Sequence, residues 1–159
     1  MSISSEKLRQ KLYMQRYLEE LSALAGYPVQ ATELGSLAQA ASIRDASQKF
    51  NAQSSRSTEI PFADKCSERF KKFIQMLYSA NASSIYIWTP RTINCGTFLA
   101  SSIEAVKFGF DFTVNQEGVL VFESSDLQDR LLLDFFVSPA DEQMLKIEVQ
   151  GLNWGDVVY

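Results

Sequence analysis

LLLDFFVSPADEQMLKIEV, residues 131–149, is the stretch that sets the architecture. Its first seven residues are apolar apart from Asp134, which reads as a central strand with little contact to water. Ser138-Pro139-Ala140-Asp141-Glu142 is rich in turn formers and reverses the chain. From Met144 onward the pattern alternates: Leu145, Ile147 and Val149 share one face, Lys146 and Glu148 the other. Gly151 breaks this strand. Two strands joined by a short turn run antiparallel, so this half of the chain is built on an antiparallel sheet.

Upstream, Phe108, Phe110, Phe112 and Val114 alternate with Gly109, Asp111 and Thr113. Period two over seven residues predicts a further strand, turned at residues 115–118 into a returning strand at 119–122. Ile85, Tyr86, Ile87 and Trp88 predict a fourth strand ended by Pro90. A short helix is expected within residues 97–107, between the fourth strand and the Phe108 strand. Downstream, LNWGDVVY is too apolar to trail free and is expected to pack.

The first eighty residues have another texture. Leu8, Leu12, Leu18, Leu21 and Leu24 recur at helical spacing, with Ser4 or Ser5 as the cap and Gly26 as the stop near Ala25. A second helix is expected from about Thr32, followed by a polar loop over residues 51–59. Pro61 suits the first turn of a third helix, in which Phe62, Cys66, Phe70, Phe73, Ile74 and Leu77 form the apolar face. Lys65, Glu68, Arg69, Lys71, Lys72 and Gln75 fill its polar face. The expected fold class is α+β: N-terminal helices over residues 1–80, then an antiparallel sheet of about five strands over 84–159 with one inserted helix, all in a single domain spanning 1–159.

Composition removes several function classes. The 159 residues contain no histidine and two cysteines, Cys66 and Cys95. That excludes His-based triads, HExxH zinc chemistry and four-cysteine zinc sites. Neither a Walker loop nor GxGxxG occurs, so no nucleotide cofactor is expected, and no metal site either. No apolar run is long enough to span a bilayer. The charged N-terminus lacks the apolar core of a signal peptide, so a cytoplasmic location with reduced thiols is expected. Residues 20–50 could be read as a helix-turn-helix, but Arg44 and Lys49 are too few for phosphate contacts, and no nucleic-acid partner is expected.

The net charge of -4 is unevenly distributed. Residues 1–80 hold 11 Lys/Arg against 8 Asp/Glu, whereas residues 81–159 hold 4 against 11. An acidic half attracts basic partners, although acids also serve simply to solvate a sheet. Asp126, Asp129, Asp141, Glu142 and Asp156 fall in predicted loops or at strand ends and are the candidate partner-binding acids, with Trp154 as an aromatic anchor beside them. Asp134 is set apart, because LLLDFFV places it among core residues. No catalytic residue is assigned. Cys66 is expected in the core. Cys95 has no histidine to activate it, and no pair of carboxylates is fixed by spacing.

From Tyr86 to Tyr159 the chain resembles the small immunity proteins of bacterial toxin systems, such as those of contact-dependent growth inhibition. The likeness lies in an acidic sheet half with dense aromatics (YIW, FGFDF, LLLDFF, GLNWGD) and no catalytic apparatus. Those proteins span unrelated folds, so no functional residue transfers. The resemblance implies binding to a cognate toxin domain, often a nuclease, and occlusion of an essential face. Two other classes remain open: a small enzyme acting through Cys95 or carboxylates, and a regulatory or structural module that oligomerises through its N-terminal helices.

Overall fold

A computed structural model describes residues 3–159, with side chains from Ser5 onward. The long first helix, α1 (Ile3–Ala25), stops at Gly26, whose φ of +80° turns the chain while its N–H reaches Ser22 O at 2.9 Å. A 3-10 turn and α2 (Leu37–Ser47) follow, and Ser36 caps α2 by accepting from the Gln39 N–H. Strand β1 (Arg56–Pro61) leads through a 3-10 turn into α3 (Glu68–Ala80), capped by Ser67. Then come β2 (Ile85–Trp88), the one-turn α4 (Thr92–Cys95), β3 (Phe98–Ala100), β4 (Val119–Ser124), β5 (Asp129–Val137) and β6 (Gln143–Gly151).

The six strands form one antiparallel sheet in the order β1-β6-β5-β4-β2-β3, so the fold is α+β, helices first and sheet after. The stretch 131–149 forms the sheet's middle: β5 and β6 pair from Asp129↔Gly151 to Val137↔Gln143. One sheet face carries Ile60, Leu145, Ile147, Val149, Leu131, Leu133, Leu120, Phe122, Ile85 and Ile87, all buried. Tyr17, Leu21 and Leu24 of α1 and Phe70, Phe73, Ile74 and Leu77 of α3 complete the same core. The expected apolar face of the third helix is therefore the buried one from Phe70 onward.

Several local expectations are corrected. Residues 56–59, expected as loop, and Pro61, expected in the first turn of the third helix, belong to the edge strand β1 against β6. RSTEIP has no apolar alternation, and the free edge of β6 supplies the ladder that its sequence does not announce. Residues 108–114 are not a strand. Their alternating phenylalanines instead feed an aromatic cluster: Phe112 meets Phe62 edge-on at 5.1 Å between centroids, and Phe108 meets Phe70 at 5.2 Å. Period two here reflects ring packing on one side of an irregular segment. The helix expected within 97–107 is replaced by β3 and a 3-10 turn at Ile103–Ala105. The second and third helices start later than expected, at Leu37 and Glu68, because Ser36 and Ser67 are the residues that cap them. Cys66 thereby falls outside α3 and is exposed. Lys65 is instead buried, its ammonium 4.3 Å from the Phe62 ring centroid and 4.7 Å from that of Phe110. Aromatic faces there replace some of the hydration it loses.

Candidate interaction surface

The six candidate residues do not form one patch. Asp126 and Asp129 flank the β4–β5 turn, and Trp154 and Asp156 lie beside it after β6. Asp141 and Glu142 occupy the β5–β6 turn at the opposite end of the sheet. Nine-residue β5 separates the two ends by roughly 27 Å at about 3.3 Å per residue.

Two of the six are inaccessible, and their expected exposure is corrected. Asp129 is fully buried. Its Oδ1 accepts from the backbone N–H groups of Asn153 (2.8 Å) and Trp154 (2.7 Å). Its Oδ2 accepts from Asn81 Nδ2 (2.7 Å) and Asn153 Nδ2 (2.9 Å). Four donors around one carboxylate tie α3's end, the β4–β5 turn and the C-terminal turn together. Gly151 makes the approach possible: a Cβ there would lie 2.2 Å from Gln128 O, at a φ of +121°. Trp154 is likewise fully buried, and its indole N–H donates to Leu77 O at 2.9 Å. It anchors the tail to α3, as the apolar composition of LNWGDVVY predicts, and offers nothing to a partner.

The other four are exposed. Burial by itself raises the Asp126 carboxyl, but hydrogen bonds from Ser124, the Gln128 backbone, Asn81 and Ser83 outweigh it and hold it below its ordinary value. Asp126 is thus a fixed negative charge, pinned at a turn. Asp141 adopts a φ of +61° in the β5–β6 turn, where Ser138 accepts from the Glu142 N–H at 3.2 Å.

A broader surface lies on the sheet face opposite the core. Side chains alternate along each strand, so Tyr86 and Trp88, Val119 and Val121, Leu132, Asp134 and Phe136, and Met144, Lys146 and Glu148 point away from the core. The register aligns Trp88, Val121, Leu132 and Glu148 across four adjacent strands. The next row runs Val119, Asp134, Lys146 and Glu59, and the one beyond sets Phe136 beside Met144. These side chains are half-buried, apart from exposed Glu59.

Residues 37–52 wrap over one end of this face. Fully buried Phe50 accepts from Gln150 Nε2 through its carbonyl (2.9 Å), and the Arg130 guanidinium lies 5.4 Å from its ring centroid. Ser47 donates to the buried carboxylate of Glu123. Burial pushes the Glu123 carboxyl above its ordinary value, against Ser47 and the charges of Arg130 and Lys49. Where this cover meets the sheet, Trp88, Val121, Glu123 and Arg130 floor a cleft of about 360 Å³. The indole N–H of Trp88 has no acceptor there.

Sequence reasoning missed this surface because it read residues 131–137 as a strand covered on both sides. The signal was present in the alternation of Leu131, Leu133 and Phe135 with Leu132, Asp134 and Phe136. Asp134 belongs to the open face, opposite Lys146 in the register.

Of the other chemistry-bearing groups, the Cys66 thiol is exposed, and the Arg91, Glu20, Tyr17 and Cys95 group is held inside the fold. Arg91 pairs with Glu20, both buried, and lies 3.6 Å from Glu117. Burial raises the Glu20 carboxyl more than the Arg91 charge lowers it. Tyr17 donates its hydroxyl hydrogen to Gly96 O (2.7 Å), and its oxygen lies 3.1 Å from Thr92 Oγ1, whose hydroxyl can donate to it. Cys95 is buried nearby, and its burial pushes the thiol up despite Arg91. A raised thiol is a poor nucleophile, so Cys95 is not activated in this arrangement. Among the described residues, no cluster of three or more His, Cys, Asp or Glu side chains could hold a metal ion. No described helix is long and apolar enough to cross a membrane. No protein-family model, curated protein or solved structure matches the chain.

Proposed function

We propose that the chain is a binding protein of the immunity type, which neutralises a basic bacterial toxin domain in the cytoplasm by covering it with the open face of the sheet. The observation that carries this reading is the row Trp88, Val121 and Leu132 on a face free of helices over much of its area. Apolar rows on a solvated face are characteristic of interfaces, and tryptophan is among the commonest energetic anchors. Glu59, Asp134 and Glu148 border the row on one side with Lys146 among them, and Glu123 and Arg130 border it on the other. A nuclease must be basic around its site to hold polyphosphate, and acids of this kind would steer it in.

The test uses the toxin domain encoded by the neighbouring gene. Co-expressed wild-type protein should protect cells from it, and Trp88→Ala or the pair Asp134→Lys and Glu148→Lys should lose protection while remaining folded by circular dichroism. Association of the purified partners should slow as salt rises, because the Debye length contracts from about 10 Å at 0.1 M to about 3 Å at 1 M. Full protection by folded variants, or association indifferent to salt, would overturn the reading.

A further inference from the structure

The first half of α1 is poorly supported by the fold. Residues 5–12 are all exposed, and Leu8 and Leu12 remain 58% and 47% accessible. Only from Tyr13 onward does the helix pack on the core, with Tyr17, Leu21 and Leu24 buried. A projecting helical segment of this length is marginal in water, since helices gain most of their stability from packing an apolar face. Beside it runs an open groove of about 930 Å³, lined by Leu8, Lys11, Leu12, Gln15, Leu18 and Glu19 and reaching Tyr27.

The charges along α1 identify what fits the groove. Of the two charged residues that line it, Lys11 lies in the N-terminal half of α1, where the helix dipole disfavours a cation, and Glu19 lies in the C-terminal half. A second α1 running antiparallel reverses both orders. It sets Lys11 of each copy against Glu19 of the other and opposes the two dipoles. We propose that α1 pairs with α1 of a second copy of this chain about a two-fold axis at Gln15. A closed two-fold contact is self-complementary, so residue i meets residue j and j meets i. With the axis at Gln15, Leu12 faces Leu18, Lys11 faces Glu19 and Leu8 faces Ser22, all of them groove residues. These contacts extend over about 21 Å of helix at 1.5 Å per residue. The pairing uses neither the open sheet face nor its acids, and stands whether or not that face binds a toxin.

The experiment is sedimentation equilibrium of the full-length chain, with circular dichroism and a thermal midpoint for each variant as folding controls. The wild-type protein should be a dimer. Leu12→Asp, an exposed position that the fold tolerates, should weaken the dimer at least tenfold. Lys11→Glu and Glu19→Lys should each weaken it, and the double exchange should restore it, because the pair across the axis is merely swapped. A monomeric wild-type chain would overturn the proposal. So would a dimer unaffected by Leu12→Asp, or a double exchange no better than either single one; those results would assign the groove to a different partner or the dimer to a different face.

Discussion

Replacing Asp129 by asparagine removes one negative charge and almost no volume, yet it should be among the most damaging single changes in the molecule. The carboxylate presents two acceptor oxygens to four donors. An amide keeps one oxygen, which can still serve the Asn153 and Trp154 backbone N–H groups. Its NH₂ then faces the NH₂ groups of Asn81 and Asn153, donor against donor. Asn81 cannot turn over freely, because its Oδ1 already accepts from the Ser83 N–H at 3.1 Å. Two charge-assisted hydrogen bonds, each worth about 1.5–3 kcal/mol, are lost in a site closed to water. Allowing for relaxation, the expected cost is about 3 kcal/mol, or roughly 6–12 °C in Tm for a chain of this size. Urea unfolding followed by tryptophan fluorescence, from Trp154 and Trp88 together, reads it, since the same substitution loosens the tail that carries the Trp154 indole. Asp156→Asn, exposed and two residues from Trp154, is the control and should stay within about 0.5 kcal/mol of wild type. An Asp129→Asn protein as stable as that control would refute the structural role assigned to the carboxylate.

Phe73, 2% exposed between α3 and the sheet, should cost about 3–5 kcal/mol on conversion to alanine, read as a lowered denaturant midpoint. Glu123 gives a pH signature. Because burial raises its carboxyl in the folded state, its contribution is fully present below the unfolded value near 4.5 and is lost as pH rises through the folded value. Stability should therefore fall as pH climbs above about 4.5 and through the raised folded value, and Glu123→Gln should flatten that slope in a series of urea midpoints, with the remainder due to Glu20. The two thiols should separate under an aromatic disulfide reagent: exposed Cys66 reacts at once in the native protein, and buried Cys95 only on unfolding. Rapid modification of both would contradict the burial of Cys95.

Periodicity in the chain was sufficient for the fold class. The alternation at 145–149, the run at 131–137 and the helical spacing of Phe70, Phe73, Ile74 and Leu77 are properties of local sequence. Each dictates an element with one face to hide, and the missing histidines settle the excluded chemistries just as locally. What the sequence could not supply was the neighbour of each element. RSTEIP is a strand only because β6 has a free edge for it, and FGFDFTV is irregular because its rings find Phe62, Phe70, Phe122 and Phe135 instead of a ladder. The acids show the same division. Asp129 and Asp156 look alike in sequence, each in a polar turn, but one is enclosed by four donors drawn from two segments far apart in the chain and the other faces water. Asp134 looks enclosed among leucines and phenylalanines, yet lies on the open face. Burial of a charge depends on which distant donors and strands converge around it, and that convergence is decided by tertiary packing.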